Sequence, residues 1–459
     1  MAPTLAPELL ISCHCGVAKQ TVRLRDHFSN APQKVSLCHC SACRHNTGLL
    51  CVSYAGIDQP DSVEGLVEYR HTAEAITRFF CATCGCHVFR RITCPVTDTT
   101  NTGASDSALP TAEKKESWAV PTGVIIGLKG GSEELSEGGH EALIRYAKHI
   151  NTSSTKDGGL SPFIRHVGDS RELEVVDNWP PLASPPLTLA KEKLANLDLN
   201  VEVKASSGDN SQKQKGEEIL NAFCHCKTVQ FHITRPNAMS KLPRSNFPDL
   251  MVPFHTGSPQ VKNPEDDKWW LRPGLDSHYE GPDVPSIENG GLRRYMAGTC
   301  ACLPCRLISG FEIQTWAFIP KANIFFHIRD HTDSSGSEPR AANDTQNIVP
   351  LDFATLPANI LTSYESSPGV RREFCSCCGA TVFWRDRWRP ELMDVSVGLL
   401  DAYEGARAET WLDWWTGRVS FAEDAGNGRT GDMARIAKAL IDSLGTGLRK
   451  WGEQEEEAA

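Results

Sequence analysis

The cysteines of this chain fall into clusters, and the clusters recur in one order. Cys13-His14-Cys15 is followed by Cys38-His39-Cys40-Ser41-Ala42-Cys43-Arg44, and then by Phe80-Cys81-Ala82-Thr83-Cys84-Gly85. Further on, Cys224-His225-Cys226, Cys300-Ala301-Cys302-Leu303-Pro304-Cys305-Arg306 and Phe374-Cys375-Ser376-Cys377-Cys378-Gly379 repeat the series. Each series reads CxC, CxCxxCR, FCxxCG, which marks an internal duplication. The 459 residues also exceed one ordinary core, so length agrees with more than one domain.

The N-terminus, MAPTLAPELLISCHC, has no basic leader and its apolar run is interrupted by Glu8, so no signal peptide is expected. The expected setting is the cytoplasm or nucleus, where eighteen cysteines point to metal rather than to disulfides. Thiolates one or two residues apart reach one metal from a single turn, and zinc takes four ligands tetrahedrally. Pairing CxC with CxxC gives two four-sulfur sites: Cys13, Cys15, Cys81 and Cys84, and Cys224, Cys226, Cys375 and Cys378. A closed shell of this kind has a structural task, stapling distant segments. The middle clusters offer three sulfurs each: Cys38, Cys40 and Cys43, and Cys300, Cys302 and Cys305. Three protein ligands plus an exchangeable position is the pattern of a catalytic zinc. A fourth protein ligand would close the first such site, and Cys51, Cys86, Cys94 and His39 are the candidates, though the second copy shares none of them. The expectation is two Zn²⁺ per copy, four per chain. Arg44 and Arg306, directly after the third cysteine, can offset thiolate charge, hold a substrate carboxylate, or form a plain salt bridge.

With 28 prolines and 36 glycines, a turn-rich, mainly β fold is expected. Short β-branched runs support it: Val17–Leu24, His87–Arg90 and Val124–Leu128 in the first copy, Thr228–Ile233, Thr381–Trp384 and Val395–Leu399 in the second. In this matching Gly127 corresponds to Gly398. The copies are expected to span 12–180 and 222–419, joined by a polar linker over 189–218. Polar insertions are expected over Thr97–Lys115, Arg235–Leu292 and Asp330–Asn347. A C-terminal helix over 432–450 is predicted, with Asp432 as cap and Met433, Ile436, Ala437, Leu440 and Leu444 on the face that docks on the second copy. The net charge of −10 argues against nucleic acid, and no apolar run is long enough for a membrane span.

The order CHCG, CHCSxCR, FCxxCG, followed by a Val-Gly strand, resembles the glutathione-dependent formaldehyde-activating enzyme family, which includes centromere protein V-like proteins. Residues 149–160, ending Thr155-Lys156-Asp157-Gly158-Gly159-Leu160, are similar to that family's end-of-domain stretch. The second copy departs from the pattern at Lys227, which stands for Gly16, and at Ala301, Leu303 and Pro304. The resemblance implies two tandem zinc-stapled β-tent modules of antiparallel sheets. It also implies carbon–sulfur lyase activity joining glutathione and formaldehyde, with Cys38, Cys40, Cys43 and Arg44 at the chemistry. The partners it implies are a small thiol such as glutathione and a small aldehyde. The alternative is a non-catalytic zinc scaffold that binds a protein partner.

Overall fold

The computed structural model describes residues 6–25, 31–71, 75–95, 114–129, 143–168, 172–179, 218–246, 250–252, 263–274, 292–328 and 347–458. The expected insertions at Thr97–Lys115 and Asp330–Asn347 and the linker over 189–218 lie almost wholly outside these residues. The third insertion is described in part, and its Trp269 and Trp270 are buried in the core.

The fold is mainly β, with three α-helices among the described residues. Strands before and after the linker pair only within their own half. In the first half, Gln20–Arg23, Glu8–Ile11 and Ile125–Leu128 form one sheet. A larger sheet runs in the order Glu174–Val176, Ile144–Ile150, Gln33–Cys38, Val52–Ile57, Lys114–Pro121, His87–Pro95, Ile76–Cys81, Leu66–Arg70. The second half is likewise divided into a smaller and a larger sheet. Ile219–Phe223, Gln230–Thr234, Ile324–Ile328 and Asn347–Pro350 make its smaller sheet. Its larger sheet runs Leu271–Pro273, Leu292–Cys300, Gln314–Pro320, Leu392–Ser396, Thr381–Asp386, Val370–Cys375, Leu361–Ser367. Pairing is antiparallel except where Ile144–Ile150 lies parallel to Gln33–Cys38 and to Glu174–Val176, and Leu412–Trp414 parallel to Leu292–Cys300. Every residue of Gln314–Pro320 is buried, as a strand covered on both faces requires.

Two short helices grow from the CxCxxC clusters: α1, Ser41–Thr47, and α2, Leu303–Ser309. Both were unforeseen, because a helix of seven residues carries no readable period. The second cysteine is the N-cap of each, and its sulfur accepts from the third cysteine's N–H at 3.4 Å. Gly48 and Gly310 end them at φ 78° and 79°, where a side chain would be strained.

These helices make the junction between the halves. α1 packs on the 3₁₀ turn Val397–Leu399 of the second half, and α2 packs on the turn Thr122–Val124 of the first. At the crossings backbone touches backbone. Gly398 N–H donates to Gly48 O at 3.1 Å, and Gly123 N–H donates to Gly310 O at 3.0 Å. A Cβ on Gly398 would lie 2.4 Å from Gly48 C and Leu49 O, and one on Gly123 2.4 Å from Gly310 C. This corrects the matching of the copies. The partner of Gly398 is Gly123, not Gly127, and Val397–Leu399 is a turn rather than a strand. The FCxxCG motif is reciprocal in the same way. Phe80 lies against Gly379, Phe374 against Gly85, and the two rings meet edge to face.

The third helix, α3, spans Gly431–Ala458, longer than predicted at both ends. Met433, Ile436, Ala437, Leu440 and Leu444 are buried as expected. The helix packs on Ile125–Leu128 of the first half, and Trp451 meets Phe163 with ring centroids 4.9 Å apart. It therefore straps the halves together instead of serving the second alone. Asp432 stands inside the first turn, paired with Arg435 at 2.8 Å, rather than at the cap. Among the described residues no helix is long and apolar enough to cross a membrane.

Gly398→Ala should cost about 1–3 kcal/mol, because the methyl group has only backbone to displace. Denaturant unfolding followed at both halves should show one shared transition moving to lower denaturant. Loss of one half with the other unmoved would contradict this reading of the junction.

Candidate metal centres

The fold gathers the cysteines into four groups, each with its sulfurs within 4.8 Å of one another: Cys13, Cys15, Cys81 and Cys84; Cys224, Cys226, Cys375 and Cys378; Cys38, Cys40 and Cys43; and Cys300, Cys302 and Cys305. These are the sets expected from spacing. In the four-sulfur groups, the CxC turn before a small-sheet strand meets the CxxC knuckle at the end of a large-sheet strand. One cluster thus ties two sheets in each half.

Donor chemistry and spacing both fit zinc. Neighbouring sulfurs are 3.5 Å apart in Cys13–Cys15 and Cys15–Cys81, and 3.4 to 3.6 Å apart among Cys224, Cys226 and Cys375. A tetrahedral ZnS₄ unit has edges of about 3.8 Å, whereas a disulfide needs about 2.05 Å. Thiolate is a soft donor, and such donor sets favour zinc over harder cations. Backbone N–H groups also point at the sulfurs, Ala18 to Cys13 at 3.4 Å and Val229 to Cys224 at 3.3 Å. Gly16 follows the first CxC at φ 83° and Lys227 the second at φ 60°, so the substitution keeps the left-handed turn.

The three-sulfur groups sit at the N-termini of α1 and α2. Cys38 and Cys40 are 3.6 Å apart. The Cys40 sulfur and burial push the Cys38 thiol up to about 11, so a bound metal is what would make this group anionic at neutral pH. Among the described residues no further His, Cys, Asp or Glu joins either group. Cys86 donates to the His87 carbonyl at 3.3 Å, Cys51 is buried outside the group, and the Cys94 side chain lies outside the described residues.

His39 faces away from the sulfurs. Its Nε2 lies 2.9 Å from His149 Nδ1, and His149 Nε2 donates to Ile164 O at 2.7 Å. That carbonyl fixes the tautomer of His149, so His39 must be the donor between the rings. Burial holds both rings neutral, pulling His149 down to about 4. The pair locks Ile144–Ile150 beside Gln33–Cys38. Just beyond, Asn151 donates from Nδ2 to Cys38 Sγ at 3.5 Å, a contact the sequence did not announce.

Two further groups escaped the sequence reading. Arg78 is buried within electrostatic reach of Cys43. Its counterpart Arg372 donates to Cys305 Sγ at 3.3 Å. The neighbouring knuckle places one guanidinium beside each three-sulfur group, and a buried anionic centre needs such a partner. Tyr54 lies beside Cys43, with the Arg90 guanidinium 4.2 Å above its ring.

Arg44 and Arg306 are buried at the junction. Arg44 Nη1 lies 3.5 Å from Gly398 O, and Arg306 Nη1 donates to Gly123 O at 2.5 Å. Burial draws the Arg44 pKa down, while Asp157, Asp401 and Cys40 act against it. The halves also exchange contacts through the CxC histidines. His14 Nδ1 meets Tyr364 OH at 2.9 Å, and His225 Nδ1 meets Tyr69 OH at 2.8 Å. His14 thereby reaches the surroundings of Cys305.

Residues 8–120 match the family model of the glutathione-dependent formaldehyde-activating enzyme, a stretch that holds all seven clustered cysteines of the first series. No curated protein and no solved structure matches the chain.

Cys84→Ser and Cys40→Ser should each lower the bound metal, measured by elemental analysis, from four to three per chain. Cys84→Ser should also remove several kcal/mol of stability, because it opens a staple between sheets. Cys40→Ser should melt close to the parent. Equal losses of stability in the two variants would refute the division into stapling and open centres.

Proposed function

We propose that the first half carries the active centre of a zinc-dependent carbon–sulfur lyase acting on the adduct of a small thiol and a small aldehyde. The observation that carries the reading is the Cys38, Cys40 and Cys43 group, which keeps three sulfurs, no fourth protein ligand among the described residues, and a partly exposed Cys40. The family match over residues 8–120 supports glutathione and formaldehyde as the thiol and the aldehyde. A cytoplasmic or nuclear setting suits this chemistry, because thiols stay reduced there.

In the forward direction a bond forms between the thiol sulfur and the aldehyde carbon, and the thiol proton ends on the former carbonyl oxygen. The reverse breaks the same bond, and no electrons leave the pair. Zinc in the three-sulfur group would supply a Lewis acid with one exchangeable position. The chain's own residues set its surroundings. Asn151 orients and partly neutralises the Cys38 sulfur. Arg78 lowers the cost of charge at Cys43. Arg90, whose guanidinium lies 4.2 Å over the Tyr54 ring beside Cys43, is the cation this reading assigns to a carboxylate of the tripeptide. Arg44 acts as a positioning residue, holding α1, and so Cys40 and Cys43, against Gly398. A scaffold role remains the second reading, favoured by the aromatic surroundings of the second three-sulfur group.

Zinc-edge absorption should gain sulfur ligation when glutathione is added, and Cys40→Ser should abolish the gain. No added sulfur in the parent protein would rule out the lyase reading and leave the scaffold. Asn151→Ala should lower kcat/KM by about tenfold with metal content unchanged, the effect of losing one hydrogen bond to a charged sulfur.

A further inference from the structure

The two three-sulfur centres share their sulfurs and differ in their walls. Tyr54 and Trp316 stand at the same place after the third cysteine, and Arg90 and Trp384 at the same place after Cys84 and Cys378. Asn151 and Phe421 follow Ile150 and Ser420, the residues that pair with Cys38 and Cys300. At two of the three positions a polar side chain of the first half, Arg90 or Asn151, gives way to an aromatic ring in the second, Trp384 or Phe421, and at the third tyrosine gives way to the larger tryptophan. The His39–His149 pair is replaced as well, by Ala301 and Val419.

The replacement is concerted. Cys300, Cys305 and Trp316 form a small buried cluster separate from the main core, and Cys302, Trp384 and Phe421 pack against it while staying partly exposed. The neighbouring charges are already engaged. Arg372 donates to Cys305 Sγ at 3.3 Å, Arg389 pairs with Asp394 at 2.8 Å beneath Trp384, and His14 is held by Tyr364.

Phe421 supplies an independent sign. Its φ is 55°, in the left-handed region that asparagine tolerates and bulky side chains avoid. Asn151, at φ 59°, occupies the matching place comfortably. A large ring kept in a disfavoured backbone conformation, beside a reactive cluster, is strain of the kind found at functional sites.

We propose that the second centre binds an uncharged aromatic thiol, with its sulfur on the metal and its ring between Trp384 and Phe421. The proposal rests on the reading of the three-sulfur groups as open metal centres. Aromatic walls favour such a ligand by edge-to-face contact and by removing its ring from water. They offer nothing to the carboxylates of a peptide thiol, whose desolvation would go uncompensated. Binding releases the thiol proton to solvent and changes no oxidation state.

The test uses the full-length protein reconstituted with cobalt(II), whose thiolate charge-transfer absorption reports a new sulfur ligand. Phenylmethanethiol and glutathione are titrated separately and together. The expected result is additive binding, with phenylmethanethiol at the second centre and glutathione at the first. Trp384→Arg and Phe421→Asn should each weaken phenylmethanethiol by about tenfold or more and leave glutathione unchanged. Phe421→Asn should leave the thermal transition close to the parent's, because the relieved backbone offsets the lost ring packing, which separates lost binding from lost folding. Unchanged phenylmethanethiol affinity in both variants, or glutathione competing for the same centre, would overturn the proposal while leaving the metal reading intact. Fewer than four cobalt ions per chain, or no spectral response to either thiol, would defeat both.

Discussion

Backbone packed directly on backbone across the junction is the constraint from which the rest of this structure follows. Gly48 meets Gly398 and Gly310 meets Gly123, at separations that no side chain could enter. Each of the helices α1 and α2 begins at a three-sulfur centre and ends at one of these crossings. The contact that joins the halves therefore also fixes the second and third cysteines of each centre. Arg44 and Arg306 reinforce the link by donating to carbonyls of the opposite half.

The second half extends this support to the loop behind the first centre. Arg407 donates to the carbonyls of Asp157 and Gly159 at 2.7 Å, and the Asp157 carboxylate accepts from Arg407 N–H at 2.6 Å. Gly159 in turn lies close over His39, where a Cβ would come within 2.9 Å of Nδ1. The segment that carries Asn151 is thus clamped from outside its own half. A first half expressed alone would lose both the clamp and the seat of α1, whatever its own cysteines retained.

The grouping of the sulfurs was legible because ligand spacing is local information. CxC and CxxC constrain a single turn, and the repeat of three clusters in order made the pairing of sulfurs plain. A few strands were legible from β-branched runs, among them His87–Pro95, Gln230–Thr234 and Thr381–Asp386, but most were not. What escaped depends on contacts distant in sequence. Asn151 comes to Cys38 only through a parallel strand pair, and Arg78 comes to Cys43 only through the neighbouring knuckle. Arg44 was legible as a residue beside the centre, but its direction toward Gly398 was not. The match of Gly127 to Gly398 failed for a related reason. Sequence similarity between VIIGL and VSVGL outweighed the steric demand that singles out Gly123, and that demand exists only once the halves are packed.

A symmetric pair of separate chains must present one surface to itself, so every change in that surface appears twice. Here two such surfaces lie on one chain, and their encounter is intramolecular, at an effective concentration that does not depend on how much protein is present. Each half can then vary while the other preserves the fit. The exchange of Asn151, Arg90 and Tyr54 for Phe421, Trp384 and Trp316 is the kind of divergence that this arrangement permits. Covalent tandem joining thus converts a symmetric interface into one with two separately adjustable sides.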